Sequence, residues 1–319
     1  MKPRISILND YQNIALAIAD WTPLASRFEL DVLTGHISAP DELVARLHDS
    51  EVIVAMRERT PFPAAILDRL PNLKLLITTG PANASFDLAA AAANGVTVCG
   101  TRYPGNAIVE QTIGMMIALT RNFVAEDRNV RNGEWQTTIG PGLQGRTLGL
   151  VGLGRFGAGV AAVAKALQMQ VIAWSPHLTA ERAHPHDVRA VSRSELFSSS
   201  DIVSVHMVLG RTTRGLITEV DLRMMKRSAY FINTSRGPLV DEDALVSVVN
   251  DGTIAGIGLD VYDIEPLPID HPLRKCAHSL LLPHTGYVTT DAYSVFYTDA
   301  IEDIVAFYDG SPTRVIAAF

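Results

Sequence analysis

Short apolar runs rich in β-branched residues alternate with helical patterns along the whole chain. The first of these runs are residues 5–8, 52–55, 75–78 and 96–99. Helical segments lie between them, and some have clear start signals, such as Asp87 before the alanine-rich residues 88–93. Strand-length runs separated by helices are typical of βαβ units. This part of the chain is therefore predicted to form a small α/β domain around a mainly parallel sheet.

A second α/β series follows the glycine and proline break at residues 140–142. Its predicted strands are residues 147–151, 171–174, 202–206, 230–233, 254–260 and 279–282. Six strands of this kind are the number in a complete dinucleotide-binding sheet. Two further segments have apolar positions at helical spacing. Residues 106–131 are predicted to form one long helix that connects two domains, and residues 291–308 a helix that packs on the first domain.

Composition and charge narrow the class of protein. Of the 319 residues, 47% are hydrophobic and 19% are charged, which predicts a globular chain with a sizeable core. The net charge of −7 is not offset by any basic block, so partnership with nucleic acid or with an anionic membrane surface is not expected. No apolar stretch approaches the roughly 18 residues of a membrane span.

The cysteines and the N-terminus predict a cytoplasmic protein. Only Cys99 and Cys276 are present, without the spacing of a disulfide framework or a zinc site, so no metal is expected. The N-terminal residues lead directly into an apolar run and lack the regions of a signal peptide.

A glycine-rich motif stands between the predicted strand at residues 147–151 and a helical pattern over residues 158–167. Its residues are Gly152, Leu153, Gly154, Arg155, Phe156 and Gly157. In this context GxGxxG is the fingerprint of a dinucleotide site, because its glycines allow the turn, the approach of pyrophosphate and close packing of helix on strand. Gly152, Gly154, Arg155, Phe156 and Gly157 are therefore predicted to bind the cofactor.

The next predicted strand ends just before Ser175, where NAD-dependent proteins usually place an acid on the ribose 2′-hydroxyl. A carboxylate there would repel a 2′-phosphate, and the nearby His177 and Arg182 are candidates to attract one. The cofactor is predicted to be NADP or NAD, with NADP slightly favoured. The alternative is that Ser175 only hydrogen-bonds a ribose and that His177 is a solvated loop residue.

Three polar residues follow neighbouring strands of the predicted sheet. Arg236 comes after residues 230–233, Glu265 after 254–260 and His284 after 279–282. Ligands of open α/β folds bind at the carboxyl ends of the strands, so these side chains are expected to converge there. Taken singly, Glu265 is equally consistent with a turn cap and His284 with a core histidine, but the set of three favours a catalytic site.

Together with the glycine motif, these segments resemble the D-isomer-specific 2-hydroxyacid dehydrogenase family, which includes glyoxylate/hydroxypyruvate reductases and phosphoglycerate dehydrogenases. The resemblance extends over nearly the whole chain. The matching segments are Gly133-Glu134-Trp135, Gly145-Arg146-Thr147-Leu148-Gly149-Leu150-Val151-Gly152, Asn233-Thr234-Ser235-Arg236-Gly237, Gly258-Leu259-Asp260-Val261, Glu265-Pro266 and Leu282-Pro283-His284.

The resemblance implies a role for each residue of the set. Arg236 would bind the carboxylate and carbonyl oxygen of a 2-keto acid, and His284 would act as the acid/base. Glu265 would orient the imidazole and favour its charged form. The reaction would be hydride transfer between NAD(P)H and a small 2-keto acid, which gives a D-2-hydroxy acid. Cofactor contacts are implied for three further residues: Thr234, Asp260 and Gly286.

Substrate contacts are predicted from two regions. The resemblance assigns the loop at residues 79–83 to the substrate carboxylate through backbone N–H groups, with Gly80 and Pro81 at its centre. Arg57 is a candidate for added positive charge, and Tyr287 brings aromatic bulk near His284.

The predicted architecture is α/β with two domains. A Rossmann domain at residues 102–286 is inserted into a smaller flavodoxin-like α/β substrate domain made of residues 1–101 and 287–319. A homodimer is expected from the apolar helix that begins at Asn106. Two alternatives stay open: a phosphoglycerate dehydrogenase, and a dinucleotide-sensing, corepressor-like binding protein of the same fold that keeps the glycine motif without turnover.

Overall fold

The computed structural model describes residues 2–317, and the chain divides into two compact units. Unit 1 contains the described residues up to Gly105 and from Val288 onward, and unit 2 is Asn106–Tyr287. Unit 2 is thus an insertion within unit 1. The boundaries predicted from the sequence, after residues 101 and 286, differ from these by a few residues.

The strands and helices alternate through most of both units. In chain order the strands are β1 (Arg4–Ile7), β2 (Glu29–Val32), β3 (Ser50–Ala55), β4 (Leu75–Thr78), β5 (Thr97–Gly100), β6 (Thr147–Val151), β7 (Gln170–Trp174), β8 (Arg189–Ala190), β9 (Ile202–Val205), β10 (Tyr230–Asn233), β11 (Gly256–Leu259), β12 (Ser279–Leu281) and β13 (Val315–Ala317). The helices are α1 (Ala15–Ile18), α2 (Thr22–Ala25), α3 (Pro40–Leu47), α4 (Ala64–Leu67), α5 (Leu88–Ala93), α6 (Ala107–Thr120), α7 (Phe123–Arg131), α8 (Arg155–Ala166), α9 (Ala180–Ala183), α10 (Arg193–Ser199), α11 (Glu219–Met224), α12 (Glu242–Asn250) and α13 (Thr290–Tyr308).

Unit 1 is built on one sheet with the strand order β13-β5-β4-β3-β1-β2. The pairs are parallel except for β13, which runs antiparallel to β5. Sequence analysis predicted β1, β3, β4 and β5 but not the two edge strands. In β2 the charged residues Glu29 and Asp31 alternate with apolar ones. The residue pattern alone does not identify this short strand, whereas its pairing with β1 does.

The last helix, α13, belongs to unit 1. Thr289 caps its first turn by accepting a hydrogen bond from the backbone N–H of Ala292 at 3.2 Å. Phe296, Tyr297 and Ile304 on one face of the helix are fully buried. The prediction of a helix over residues 291–308 that packs on the first domain is confirmed.

Unit 2 has a seven-stranded parallel sheet in the order β12-β11-β10-β9-β6-β7-β8. From β8 to β11 this is the strand order of dinucleotide-binding folds, with the switch point between β6 and β9. The prediction of six strands omitted β8, which contains only Arg189 and Ala190 and pairs with β7. Because so short a strand has no periodicity, only the sheet context identifies it.

Apolar clusters cover both faces of this sheet. One contains Phe197, Leu222 and Phe231, and the other contains Val160 and Ala164 from α8. Burial on both faces is the reason why the central strands read as continuous apolar runs in the sequence. The interior positions of these strands are therefore mostly apolar, and polar side chains lie mainly at the strand ends.

The prediction of one helix over residues 106–131 is wrong. The segment forms α6 and α7, and Asn122 between them adopts a left-handed conformation with φ of 54°. Asparagine tolerates this conformation better than most residues, so it permits the break. Met115 and Leu119 of α6 pack inside unit 2, close to Gly258 of β11.

Candidate functional site

The glycine motif of unit 2 forms the turn between β6 and α8. Gly152 has a φ of +102°, and a Cβ on Gly157 would lie 2.3 Å from the carbonyl oxygen of Gly152. A Cβ on Gly154, by contrast, would meet no atom within 4 Å. Gly154 therefore opens onto free space at the N-terminus of α8, where the first N–H groups lack a side-chain cap. This cradle fits the pyrophosphate of a dinucleotide.

The residues assigned to the adenosine end of the cofactor surround the end of β7. Ser175 accepts a backbone hydrogen bond from Leu178 at 3.1 Å and so begins a tight turn. The Arg182 side chain donates to the carbonyl oxygen of His177 at 2.9 Å. This hydrogen bond keeps the positively charged guanidinium of Arg182 next to the turn. Arg155, the first residue of α8, is exposed, and its guanidinium stacks 5.3 Å from the ring centre of Phe156.

Arg236 is held by the turn that follows β10. The Asn233 side chain donates to the carbonyl oxygen of Arg236 at 2.9 Å and accepts from the backbone N–H of Ser235 at 3.0 Å. Gly237 then packs directly on the segment after β11, since a Cβ there would lie 2.1 Å from the carbonyl carbon of Tyr262. The backbone that carries Arg236 is therefore locked against the backbone that leads to Glu265.

Glu265 and His284 form a hydrogen-bonded pair. The distance between Glu265 Oε2 and His284 Nδ1 is 2.6 Å, and Glu265 Oε1 accepts from the backbone N–H of Tyr262 at 2.9 Å. Burial raises the pKa of Glu265, but the hydrogen bond and charge of His284, the Tyr262 N–H and the charge of Arg236 outweigh it. The net pKa lies below its usual value, so Glu265 is an anion at neutral pH. The structure thus brings the three predicted residues together.

His284 has a φ of +55°, which is uncommon for a residue with a side chain. The fully buried carboxylate of Asp260 holds the backbone there, because it accepts from the N–H groups of Thr285 and Gly286, both at 2.8 Å. Burial raises the pKa of Asp260, although these hydrogen bonds and His284 act in the opposite direction. Asp260 supports the His284 loop directly, and its predicted contact with the cofactor stays a prediction.

The other residues predicted around the site are closely packed. Thr234 is buried, and its hydroxyl lies 2.9 Å from that of Thr112 on α6. Gly286 has no room for a side chain, because a Cβ would come within 2.8 Å of Ile108. The Tyr287 ring is buried and meets the His284 ring edge-on, with ring centres 5.6 Å apart.

In unit 1, the predicted substrate residues surround the loop after β4. The N–H of Gly80 donates to Thr101 Oγ1 at 2.6 Å, and Pro81 has no N–H, so neither residue offers a spare backbone donor to a carboxylate. The Arg57 guanidinium lies across Gly80 and donates to the carbonyl oxygen of Thr79 at 3.0 Å. The Arg57 side chain brings positive charge to this loop and also lies 3.7 Å from Glu58 Oε2, and its contact with substrate stays a prediction.

Sequence reasoning missed residues that organise the site from a distance. Gln111 on α6 donates to Thr285 Oγ1 at 3.1 Å, and the Tyr262 hydroxyl donates to the carbonyl oxygen of Leu282 at 2.9 Å. These contacts join elements far apart in the chain, and no local motif signals them.

Residues 2–317 contain neither a candidate membrane span nor a candidate metal site. None of the helices there has the length and apolarity to cross a membrane. In the same residues, no three His, Cys, Asp or Glu side chains are grouped so that they could hold a metal ion.

Comparison with known proteins gives consistent matches. The family model for the D-isomer specific 2-hydroxyacid dehydrogenase, NAD binding domain, matches residues 113–286. A glyoxylate reductase of Thermofilum pendens is 34% identical over 281 residues, which cover 85% of this chain and 82% of that protein. A glycerate dehydrogenase of Methylorubrum extorquens is 34% identical over 88% of this chain and 89% of its own. A solved phosphoglycerate oxidoreductase from Vibrio cholerae has a TM-score of 0.92 at 32% identity, covering 98% of this chain and 100% of that one.

Proposed function

This chain belongs to the D-isomer specific 2-hydroxyacid dehydrogenase family, and we propose that it transfers a hydride between a nicotinamide dinucleotide and a small 2-keto acid to give a D-2-hydroxy acid. The observation that carries this proposal is the Glu265–His284 pair beside Arg236. The three residues follow parallel strands of one sheet, which also carries the glycine cradle. They are the groups needed to hold a keto acid and to protonate its oxygen.

Each side chain has a distinct task in the proposed reduction. Arg236 binds the keto acid through its planar guanidinium, which matches a carboxylate and carbonyl oxygen side by side. A bound reduced nicotinamide supplies the hydride, and negative charge grows on the substrate oxygen. His284 donates a proton to that oxygen from Nε2, since its Nδ1 is bonded to Glu265. The Glu265 carboxylate fixes the orientation of the ring for this step through the same hydrogen bond.

The reaction class and the cofactor are tested together by NADPH and NADH oxidation, followed by absorbance. The purified protein is mixed with each dinucleotide and with glyoxylate, hydroxypyruvate, pyruvate or phenylpyruvate. Turnover with one of these acids is expected, and their ranking reports the shape of the pocket. Tight dinucleotide binding without turnover of any keto acid would instead favour the corepressor-like sensor.

We further propose that NADP is the preferred dinucleotide. The support is the serine at position 175, together with Arg182, which is hydrogen-bonded to His177 in the same turn. A neutral residue leaves room for the 2′-phosphate, and a guanidinium is suited to bind it.

The variant Ser175→Asp tests this preference. The new carboxylate would repel the 2′-phosphate of NADPH and would accept hydrogen bonds from the ribose hydroxyls of NADH. The ratio of kcat/KM for NADPH to kcat/KM for NADH is therefore expected to fall by about tenfold, equivalent to roughly 1.4 kcal/mol. Ser175→Asn is the matched control, with similar size and no charge. A ratio that is the same in wild type and in Ser175→Asp would mean that the 2′ position is read by other residues.

A homodimer is also proposed, and its support comes from an exposed apolar segment in unit 2. Phe123, Trp135 and Ile139 are respectively 52%, 77% and 100% exposed. Glu126 accepts hydrogen bonds from the hydroxyls of Thr137 and Thr138, so the segment that presents Trp135 and Ile139 is held in place. Large apolar side chains exposed in this way within one segment are a feature of protein interfaces. Sedimentation velocity is expected to give twice the mass of the chain.

A cytoplasmic location stays a proposal as well. Cys99 and Cys276 are both free and buried, which agrees with a reducing compartment.

A further inference from the structure

Close to the Glu265–His284 pair lies a second carboxylate–imidazole pair, formed by Glu242 and His271. We propose that Glu242 and His271 are positioning residues that fix the loop carrying Glu265, and through it the catalytic histidine. This loop, residues 261–271, is called the Glu265 loop below. The inference rests on the proposed roles of Glu265 and His284, and the experiment below separates the two.

The Glu242 carboxylate joins both ends of the Glu265 loop. One oxygen, Oε2, accepts from the backbone N–H of Asp263 at 3.1 Å. The other, Oε1, lies 3.1 Å from Nε2 of His271. Glu265 stands between these two anchor points and two residues from the first. One side chain from α12 therefore closes the loop on either side of the residue that holds His284.

The hydrogen bonds define which nitrogen of His271 carries the proton. The backbone N–H of Leu273 donates to Nδ1 at 3.3 Å, so Nδ1 acts as an acceptor. Nε2 then carries the proton of the neutral ring, and it lies 3.1 Å from Oε1 of Glu242. The ring therefore lies between a backbone N–H on one side and a carboxylate on the other.

The same contacts tie the Glu265 loop to Arg236. The chain runs from Arg236 through Gly237, which touches the backbone of Tyr262, to Glu242 at the first turn of α12. The loop is thus held at two points by the segment that starts with Arg236. A shift of this segment would move Arg236 and Glu265 together, which keeps the substrate-binding group and the proton-donating pair in register.

A role in stability alone explains Glu242 poorly. Its side chain is only 13% exposed, and burial raises its pKa, as do the charges of Asp263 and Asp243, against the hydrogen bond from the Asp263 N–H. A raised pKa means that the folded state disfavours the charged form relative to water. Burial of this carboxylate is therefore unfavourable for stability, which is common where the geometry serves function.

The test compares variants at both positions under saturating dinucleotide, with rates normalised to dinucleotide-binding sites counted by fluorescence titration. Glu242→Ala removes both anchors and is expected to lower kcat by about tenfold to a hundredfold while KM for the keto acid changes little, because misplacement of a catalytic group mainly affects the reacting state. Glu242→Gln keeps one acceptor oxygen and is expected to lose less. Asp243→Ala is the matched control, since this exposed acid lies in the same helical turn.

Variants of His271 make the test independent of Glu242. His271→Leu removes the polar contact with Glu242 and is expected to lower kcat, whereas His271→Gln keeps a polar group at this position and is expected to restore most of it. Equal losses in Glu242→Ala and Asp243→Ala, or unchanged kcat in both Glu242→Ala and His271→Leu, would overturn the proposal. His284→Ala belongs in the same series: if it retains turnover, the proposed mechanism and this inference both fail, and if it alone loses turnover, only this inference fails.

Discussion

Replacing His284 with alanine is expected to lower kcat for keto-acid reduction by about a hundredfold to ten-thousandfold, the range for loss of a general acid. The imidazole is bonded through Nδ1 to the Glu265 carboxylate at 2.6 Å, which fixes the orientation of the ring. Without the ring, water would have to supply the proton. Dinucleotide binding should persist, because the glycine cradle follows a different strand, β6. Steady-state kinetics and a fluorescence titration with NADPH measure the two properties separately.

A histidine on the surface of unit 2 provides the control for this variant. His184 is exposed and lies in the short turn after α9, so His184→Ala is expected to behave like wild type. Turnover of His284→Ala within about threefold of wild type would remove His284 from the mechanism. Loss of dinucleotide binding along with turnover would point instead to collapse of the loop that Asp260 holds.

Arg236→Lys is expected to have the second largest effect, a fall in kcat/KM for the keto acid of about tenfold to a hundredfold. The guanidinium offers parallel N–H donors to two oxygens, whereas an ammonium offers a single point of charge. The position is fixed by the Asn233 side chain and by the contact between Gly237 and Tyr262, so a lysine cannot shift its backbone to compensate. Kinetics with the best keto acid of the panel, and the inhibition constant of oxamate, give the measurement.

The control for charge and size is Arg189→Lys on the edge strand β8, where the side chain is 63% exposed and pairs with Glu195. No change is expected there. If Arg236→Lys binds oxamate and reduces keto acid as well as wild type does, the bidentate role of Arg236 is wrong. A loss confined to kcat would indicate that Arg236 acts on the developing oxyanion more than on the carboxylate.

The chemistry of unit 2 could be read from the sequence because each group directly follows a strand. Buried parallel strands appear as apolar runs, and the residues after them must lie at the carboxyl edge of the sheet. Arg236, Glu265 and His284 could therefore be placed on that edge without knowledge of the strand order. The strand order itself required the structure, since β8 pairs with β7 through only two residues.

The loop after β4 in unit 1 was harder to interpret. Its glycine predicted that the substrate approaches the backbone closely. In the structure, the group that lies close to this glycine is the Arg57 guanidinium. The N–H of Gly80 is bonded to Thr101, which lies on a later segment of the chain. A glycine indicates a position where another group lies in place of a side chain. Which group lies there depends on packing between residues that are distant in the sequence.

The sequence by itself predicted the two-domain α/β class, the glycine turn and the position of Arg236, Glu265 and His284 after neighbouring strands, because these follow from local periodicity and short motifs. The roles of the three residues are implied by the family resemblance. Only the tertiary structure decided how those groups are held. Asp260 supports the backbone after His284, and Glu242 with His271 closes the Glu265 loop. Such contacts join residues that are distant along the chain, and whether two polar groups meet depends on strand register and loop path. Strand register and loop path produce no periodic pattern in the sequence, so the supporting contacts could be found only in the folded chain.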